Sequence, residues 1–196
     1  QEGMLYEVEA LIRDGYREAS APDENGPLTI SARRGFHSLV KLLLDHGQTQ
    51  EAMDHALNAA SIGSTFEVAK LLLERGANAR TVSARDAVSG PSPDVAWLLY
   101  SKGMDMETGH PVAQALANES EEALGFLNQF HGEIPALRKQ AAMALRYFVR
   151  EENERWITKL VRAGASPRKP APNVYPGKHE YAEFSALEDA ALRGSF

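Results

Sequence analysis

At 196 residues, with 43% hydrophobic and 24% charged side chains, the chain has the composition of a folded domain rather than of a disordered segment. Its net charge of -6 argues against nucleic acid as the main partner, because such binding is dominated by neutralising phosphates. With no cysteine, disulfides, thiolate metal sites and a cysteine nucleophile are excluded, and no apolar run reaches the ~20 residues that cross a bilayer. The expected setting is cytoplasmic, without membrane insertion.

Gly15, Gly47, Gly76, Gly103, Gly132 and Gly164 are separated by 32, 29, 27, 29 and 32 residues; five of the six follow an apolar stretch that reads as a helix, and Gly132 follows Phe126-Leu127 and Phe130. A glycine just past such a stretch can adopt the left-handed turn that closes a helix. Repetition every ~30 residues marks a stacked array, which presents an extended surface rather than a central pocket.

In chain order, Leu5 to Gly15 reads as the second helix of a unit whose first helix is absent. The cleanest unit follows, from Gly26 to Gly47, with Pro27 suited to a first helical turn because its missing N–H costs nothing there. A second unit is marked by Ala59-Ala60, Gly63, Val68, Leu71-Leu72-Leu73 and Gly76, with one extra residue between its helices. A third is marked by Thr81, Ala87, Gly90, Val95, Leu98-Leu99 and Gly103. A fourth has Pro111, Ala115, Phe126 and Leu127, with Glu119 where the inter-helix glycine belongs. The fifth has a long first helix around Leu137 to Val149 and a second around Trp156 to Val161. Trp97 and Trp156 both fall in second helices, where packing between units is their simplest role. Residues 165–184 then form a long loop with Pro167, Pro170, Pro172 and Pro176, a density that excludes a helix interior. Residues 185–196 read as one more first helix without its second. Because arrays need polar caps at their ends, the expectation is that the chain is a piece of a longer protein.

Pro27-Leu28, Ala32, Gly35, Leu39-Val40, Leu42-Leu43 and Gly47 fall in register with the pattern of an ankyrin repeat, which the Gly26–Gly47 unit resembles. The resemblance implies an all-α, ankyrin-like solenoid of about five two-helix repeats with partial repeats at both ends, in a single domain over residues 1–196. One departure stands out. The positions from Gly47 to Asp54, Gly76 to Thr81 and Gly103 to His110 number 7, 5 and 7, too few for the finger-like hairpins of the family. The middle of the array is therefore expected to present mostly helices.

Catalytic and metal motifs are not evident. His37, His46 and His55 are spaced by nine, but on the repeat template they fall at an inter-helix turn, a helix end and a helix start. His179-Glu180-Tyr181-Ala182-Glu183 carries Glu183 where a zinc motif needs histidine. There is no nucleophile elbow and no glycine-rich phosphate loop. The acidic runs at Glu119–Glu122 and Glu151–Glu154 lie near second-helix starts, where they complement the helix dipole. No enzyme activity, cofactor or metal is expected.

On the family's template the concave, partner-facing positions are Arg33-Arg34, Ser61-Ile62, Val88-Ser89 and Asn118, together with Ile30, Asn58, Arg85 and Gln114 three residues or so earlier. Ile30 and Ile62 beside the two arginines are the most telling, since interface centres favour apolar anchors and arginine. Tyr175, Tyr181 and Phe184 either pin the long loop onto the last repeats or offer a contact surface. A basic group, Arg162, Arg168, Lys169 and Lys178, lies near that loop and could attract an acidic partner. The resemblance implies a non-catalytic module binding another protein, or another domain of the same polypeptide, through its concave face. A second expectation is a recruiting or scaffolding arm of a larger enzyme or effector.

Overall fold

The structure, a computed structural model, describes residues 26–63, 65–175 and 183–194, together with Ala10. Tyr181 and, Ala10 apart, the half-unit expected at Leu5 to Gly15 lie outside these residues. Eleven α-helices are present among the described residues: α1 (Pro27–Arg33), α2 (His37–Asp45), α3 (Gln50–Gly63), α4 (Phe66–Glu74), α5 (Ala84–Val88), α6 (Pro93–Ser101), α7 (Pro111–Ala117), α8 (Glu121–Phe130), α9 (Pro135–Arg150), α10 (Glu154–Arg162) and α11 (Ala186–Arg193). A single 3-10 turn, Ala79–Thr81, precedes α5. These are five helix pairs and one unpaired helix, the expected all-α repeat architecture. No finger-like hairpin separates the pairs among the described residues.

The chain divides into two compact units, residues 1–83 with 90–104 and residues 84–89 with 105–196. In the first, α1 packs against α3, and α2, α4 and α6 form a second row behind them. The inner row is thin because its contacts are alanines: Ala32, Ala56, Ala59 and Ala60 are buried. Backbones consequently meet. A Cβ at Gly63 would lie 2.1 Å from the Arg33 carbonyl oxygen, and the Thr65 hydroxyl donates to the Ala32 carbonyl at 3.0 Å. Gly63 is thus not a turn glycine, as the pattern suggested; α3 runs through it and needs it for close approach.

In the second unit α5, α7, α9 and α11 pack side by side in chain order, with α8 and α10 as the outer row. Buried Gln140 on α9 ties the repeats together. Its Oε1 accepts from the Val112 and Ala113 N–H groups at 2.8 and 3.1 Å, and its Nε2 donates to the Met106 carbonyl. Two of the orphan donors at the start of α7 are thereby satisfied from the next repeat. Just before α7, hydrogen bonds from Thr108 and then Glu107 hold the Asp105 carboxyl at about 2, below its ordinary 3.8.

Helix ends follow local rules. Proline opens α1, α6, α7 and α9, while Ser120, Asn153 and Ser185 cap α8, α10 and α11 with their side chains. Gly47, Gly76, Gly103 and Gly164 take the left-handed conformation expected of repeat-ending glycines. Gly132 does not. There the chain leaves α8 through a right-handed turn, in which the Glu133 and Ile134 N–H groups both donate to Phe130. In the inter-helix turns, Glu119 and Glu152 occupy φ of +60° and +55°, comparable to Gly35 at +74°.

The proline-rich loop folds back onto its own unit. Ala171 and Val174 join Ala113, Ala117, Ala142 and Met143 in one apolar cluster, and Ala171 pairs with Phe184 in an isolated bridge. Beneath it the Arg146 guanidinium is buried. It pairs with Asp189 on α11, donates to the Ala171 carbonyl at 2.8 Å and carries the Phe184 ring 5.3 Å from its centre.

Candidate functional site

In the first unit the telling residues come to the surface. Ile30 and Ile62 are 44% and 43% exposed, and Arg33 and Arg34 end α1 in solvent. Neither arginine has a carboxylate within 4 Å among the described residues. The direct packing of α1 on α3, with Gly63 against the Arg33 carbonyl, brings Ile62 beside the end of α1. Two further aromatics are exposed, Phe36 at the cap of α2 and Phe66 at the first residue of α4, where Phe66 lines a recess with Lys70, Leu73 and Leu98 of the outer row. The sequence reading passed over them, although both start a second helix and were findable as bulky apolar residues at a solvent-facing turn.

The other two positions of this unit serve its own fold. Ser61 is 1% exposed and donates to the Asn58 carbonyl at 2.7 Å; Asn58 is half-buried, and its Oδ1 accepts from the Ser83 N–H at 3.2 Å. Ser61 therefore drops out as a contact residue. The reason is the length of α3: running unbroken to Gly63, it turns Ile62 outward and Ser61 inward.

The second unit holds the remaining candidates. Val88, 1% exposed, is core, because α5 is a single short turn whose end is covered. Arg85 is exposed and lies 3.7 Å from Asp86. Ser89 and Gln114 are half-buried, and Gln114 donates to the Gly109 carbonyl at 2.8 Å. Asn118 is exposed and accepts from the Tyr175 hydroxyl at 3.3 Å. Tyr175 is half-exposed and stands edge-on to Tyr147 at 5.7 Å, whose phenol burial pushes above its ordinary value, aided by Glu151. For Tyr175 and Phe184, loop packing is what the structure shows.

The histidines lie apart in role. His37 opens α2, His55 sits inside α3 rather than at its start, and the His46 Nδ1–H donates to the Leu42 carbonyl at 2.9 Å. Among the described residues no three His, Asp or Glu side chains are grouped to hold a metal ion. No helix among them is long and apolar enough to cross a membrane.

Thin alanine-lined inner helices, an outer row behind them and left-handed glycines between repeats define a helical repeat domain. Residues 1–83 match the family model for ankyrin repeats (3 copies), the family that the repeat pattern of the chain resembles. Domains of this kind are generally protein–protein interaction modules and typically non-catalytic. Among solved structures the chain is similar to the ankyrin repeat domain of human ASB11, at 17% identity over 86% of this chain and 98% of that chain, with a TM-score of 0.47. No curated protein matches it.

Proposed function

We propose that the chain is a non-catalytic binding module. It takes a protein partner, or another part of its own polypeptide, on the surface formed by Ile30, Arg33, Arg34 and Ile62. One observation carries this reading: two half-exposed isoleucines flank two arginines that have no carboxylate partner among the described residues, on helices whose backbones touch. Apolar anchors and arginine are the residues that concentrate binding energy at interface centres. Because the close α1–α3 packing fixes the backbones that carry these side chains, only side-chain ordering remains to be met on association.

The test is capture of a partner by this chain beside a variant carrying Ile30→Glu, Arg33→Glu, Arg34→Glu and Ile62→Glu. All four side chains are exposed, so the variant should keep the same helical spectrum and melting temperature. Its affinity for the captured partner should fall at least about 30-fold, the loss expected from a single ~2 kcal/mol hot spot. Equal affinity of the two proteins would sink the assignment.

A further inference from the structure

A recess of about 110 Å³ opens on the second unit between the end of α8, the first turns of α9 and the turn that follows α10. Its floor is apolar, made by Leu127, Ala141 and Ala163, and its polar lining is His131, Arg138, Ser166 and Lys169. None of the lining residues is acidic. Among the described residues neither Arg138 nor Lys169 has a carboxylate within 4 Å, whereas the adjacent Lys139 is already paired with Glu183 at 3.8 Å. The His131 ring is held by its Nδ1–H, which donates to the Asn128 carbonyl at 3.2 Å, leaving Nε2 on the side of Gly164.

The recess is small. It corresponds to three or four waters at about 30 Å³ each, well below the roughly 300 Å³ at which small-molecule pockets begin. Such a volume suits one polar head projecting from a larger body. The charge selects which head. The ends of α8 and α10 at this recess contribute about half a negative charge each, less than the two full positive charges of Arg138 and Lys169. A net positive site remains, lined by a guanidinium from α9 and by a hydroxyl and an ammonium from the turn that follows α10. Three donor groups around one small volume match the three terminal oxygens and the near-double negative charge of a phosphate monoester better than a flat, singly charged carboxylate.

We propose that this recess receives a phosphate monoester carried on a phosphorylated side chain of a protein partner, with Arg138 and Lys169 neutralising its charge and Ser166 donating to an oxygen. The exposed Arg162 and Arg168 lie close by in sequence and extend the positive field toward an incoming acidic segment. The site is independent of the Ile30–Ile62 surface, and either can fail without the other.

The test is an NMR titration of the full chain with N-acetyl-phosphoserine N-methylamide, set beside the unphosphorylated serine amide and inorganic phosphate. Saturable shifts are expected at the amides of His131, Gly164, Ser166 and Lys169, with a dissociation constant of about 1 mM or tighter. The serine amide should give none, and inorganic phosphate should bind more weakly. Arg138→Glu with Lys169→Glu should weaken binding at least about tenfold. Lys169→Glu alone, in a surface turn, provides the same readout with the least risk to folding. Absence of saturable shifts, or binding unchanged in both variants, would overturn the proposal. Free phosphate binding as tightly as the phosphoserine amide would overturn its assignment to a partner's side chain.

Discussion

Gln140 stands in the middle of a 16-residue helix, fully enclosed, yet it acts as the cap of a different helix. Both lone-pair directions of its carbonyl oxygen are used by α7, and its amide holds the Met106 carbonyl that leads into that helix. Replacement by leucine keeps the volume and removes all three bonds. Two N–H groups and one carbonyl would then be buried without partners, at about 1–3 kcal/mol for each such group before relaxation. Gln140→Leu should therefore lower the unfolding free energy by about 3 kcal/mol, read from urea denaturation with an unchanged slope. Glu119 and Glu152 illustrate a different economy at this scale. Each sits in a left-handed turn position where a side chain costs about 1–2 kcal/mol. Glu119 recovers part of that through the bond that its Oε1 accepts from Asn153, at 3.1 Å.

At the scale of elements, α11 is short for a helix that must hold its own place. Its capping box, in which Ser185 and Glu188 satisfy each other's backbone N–H groups, fixes its start. Its attachment to α9 rests on the enclosed Arg146–Asp189 pair. Asp189→Ala would remove the carboxylate that pairs with this buried guanidinium, a kind of change that costs about 3–5 kcal/mol. The expected outcome is a drop of that order in stability. Replacing both residues together, Arg146→Met with Asp189→Leu, should recover most of it, since buried pairs often exchange for apolar residues with little loss.

The same elements show what could be read from the chain and what could not. Apolar stretches followed by glycine, two of them leucine triplets, revealed the helix pairs, because burial and helix termination leave their marks within a few neighbouring residues. Gly132 misled, since a glycine permits a left-handed turn without requiring one. Gln140 and Arg146 were invisible as organisers because their partners lie 25 to 43 residues away and share no local pattern with them. The exposure of Ile30 and Ile62 was legible from register alone. That register failed at Ser61, where the unbroken α3 shifted the face by one residue, and at Val88, where the helix is too short to have a free side. The recess at Arg138 and Lys169 had only half a signal, the basic cluster near the loop; Arg138 and His131 come from elsewhere in the chain.

The molecule consists of two units, and within each the helix pairs stack on their neighbours, so that stability is held locally and passed between them. The two tryptophans report on this separately, Trp97 in α6 of the first unit and Trp156 in α10 of the second. In single-tryptophan versions made by Trp97→Phe or Trp156→Phe, the Asp189→Ala change should lower the urea midpoint seen at Trp156 more than that seen at Trp97. Equal shifts at both would mean that the chain unfolds as one cooperative body.

The pairing of Ala171 with Phe184 has a use beyond packing. Because one hydrogen bond of 3.1 Å brings the two ends of that segment together, the fold registers the positions of those ends and not the number of residues between them. Lengthening a closed loop costs only about 0.6 kcal/mol for each doubling. A loop whose ends are held in this way should accept an insertion with little loss of stability, so that the chain could be lengthened there while its helices keep their places.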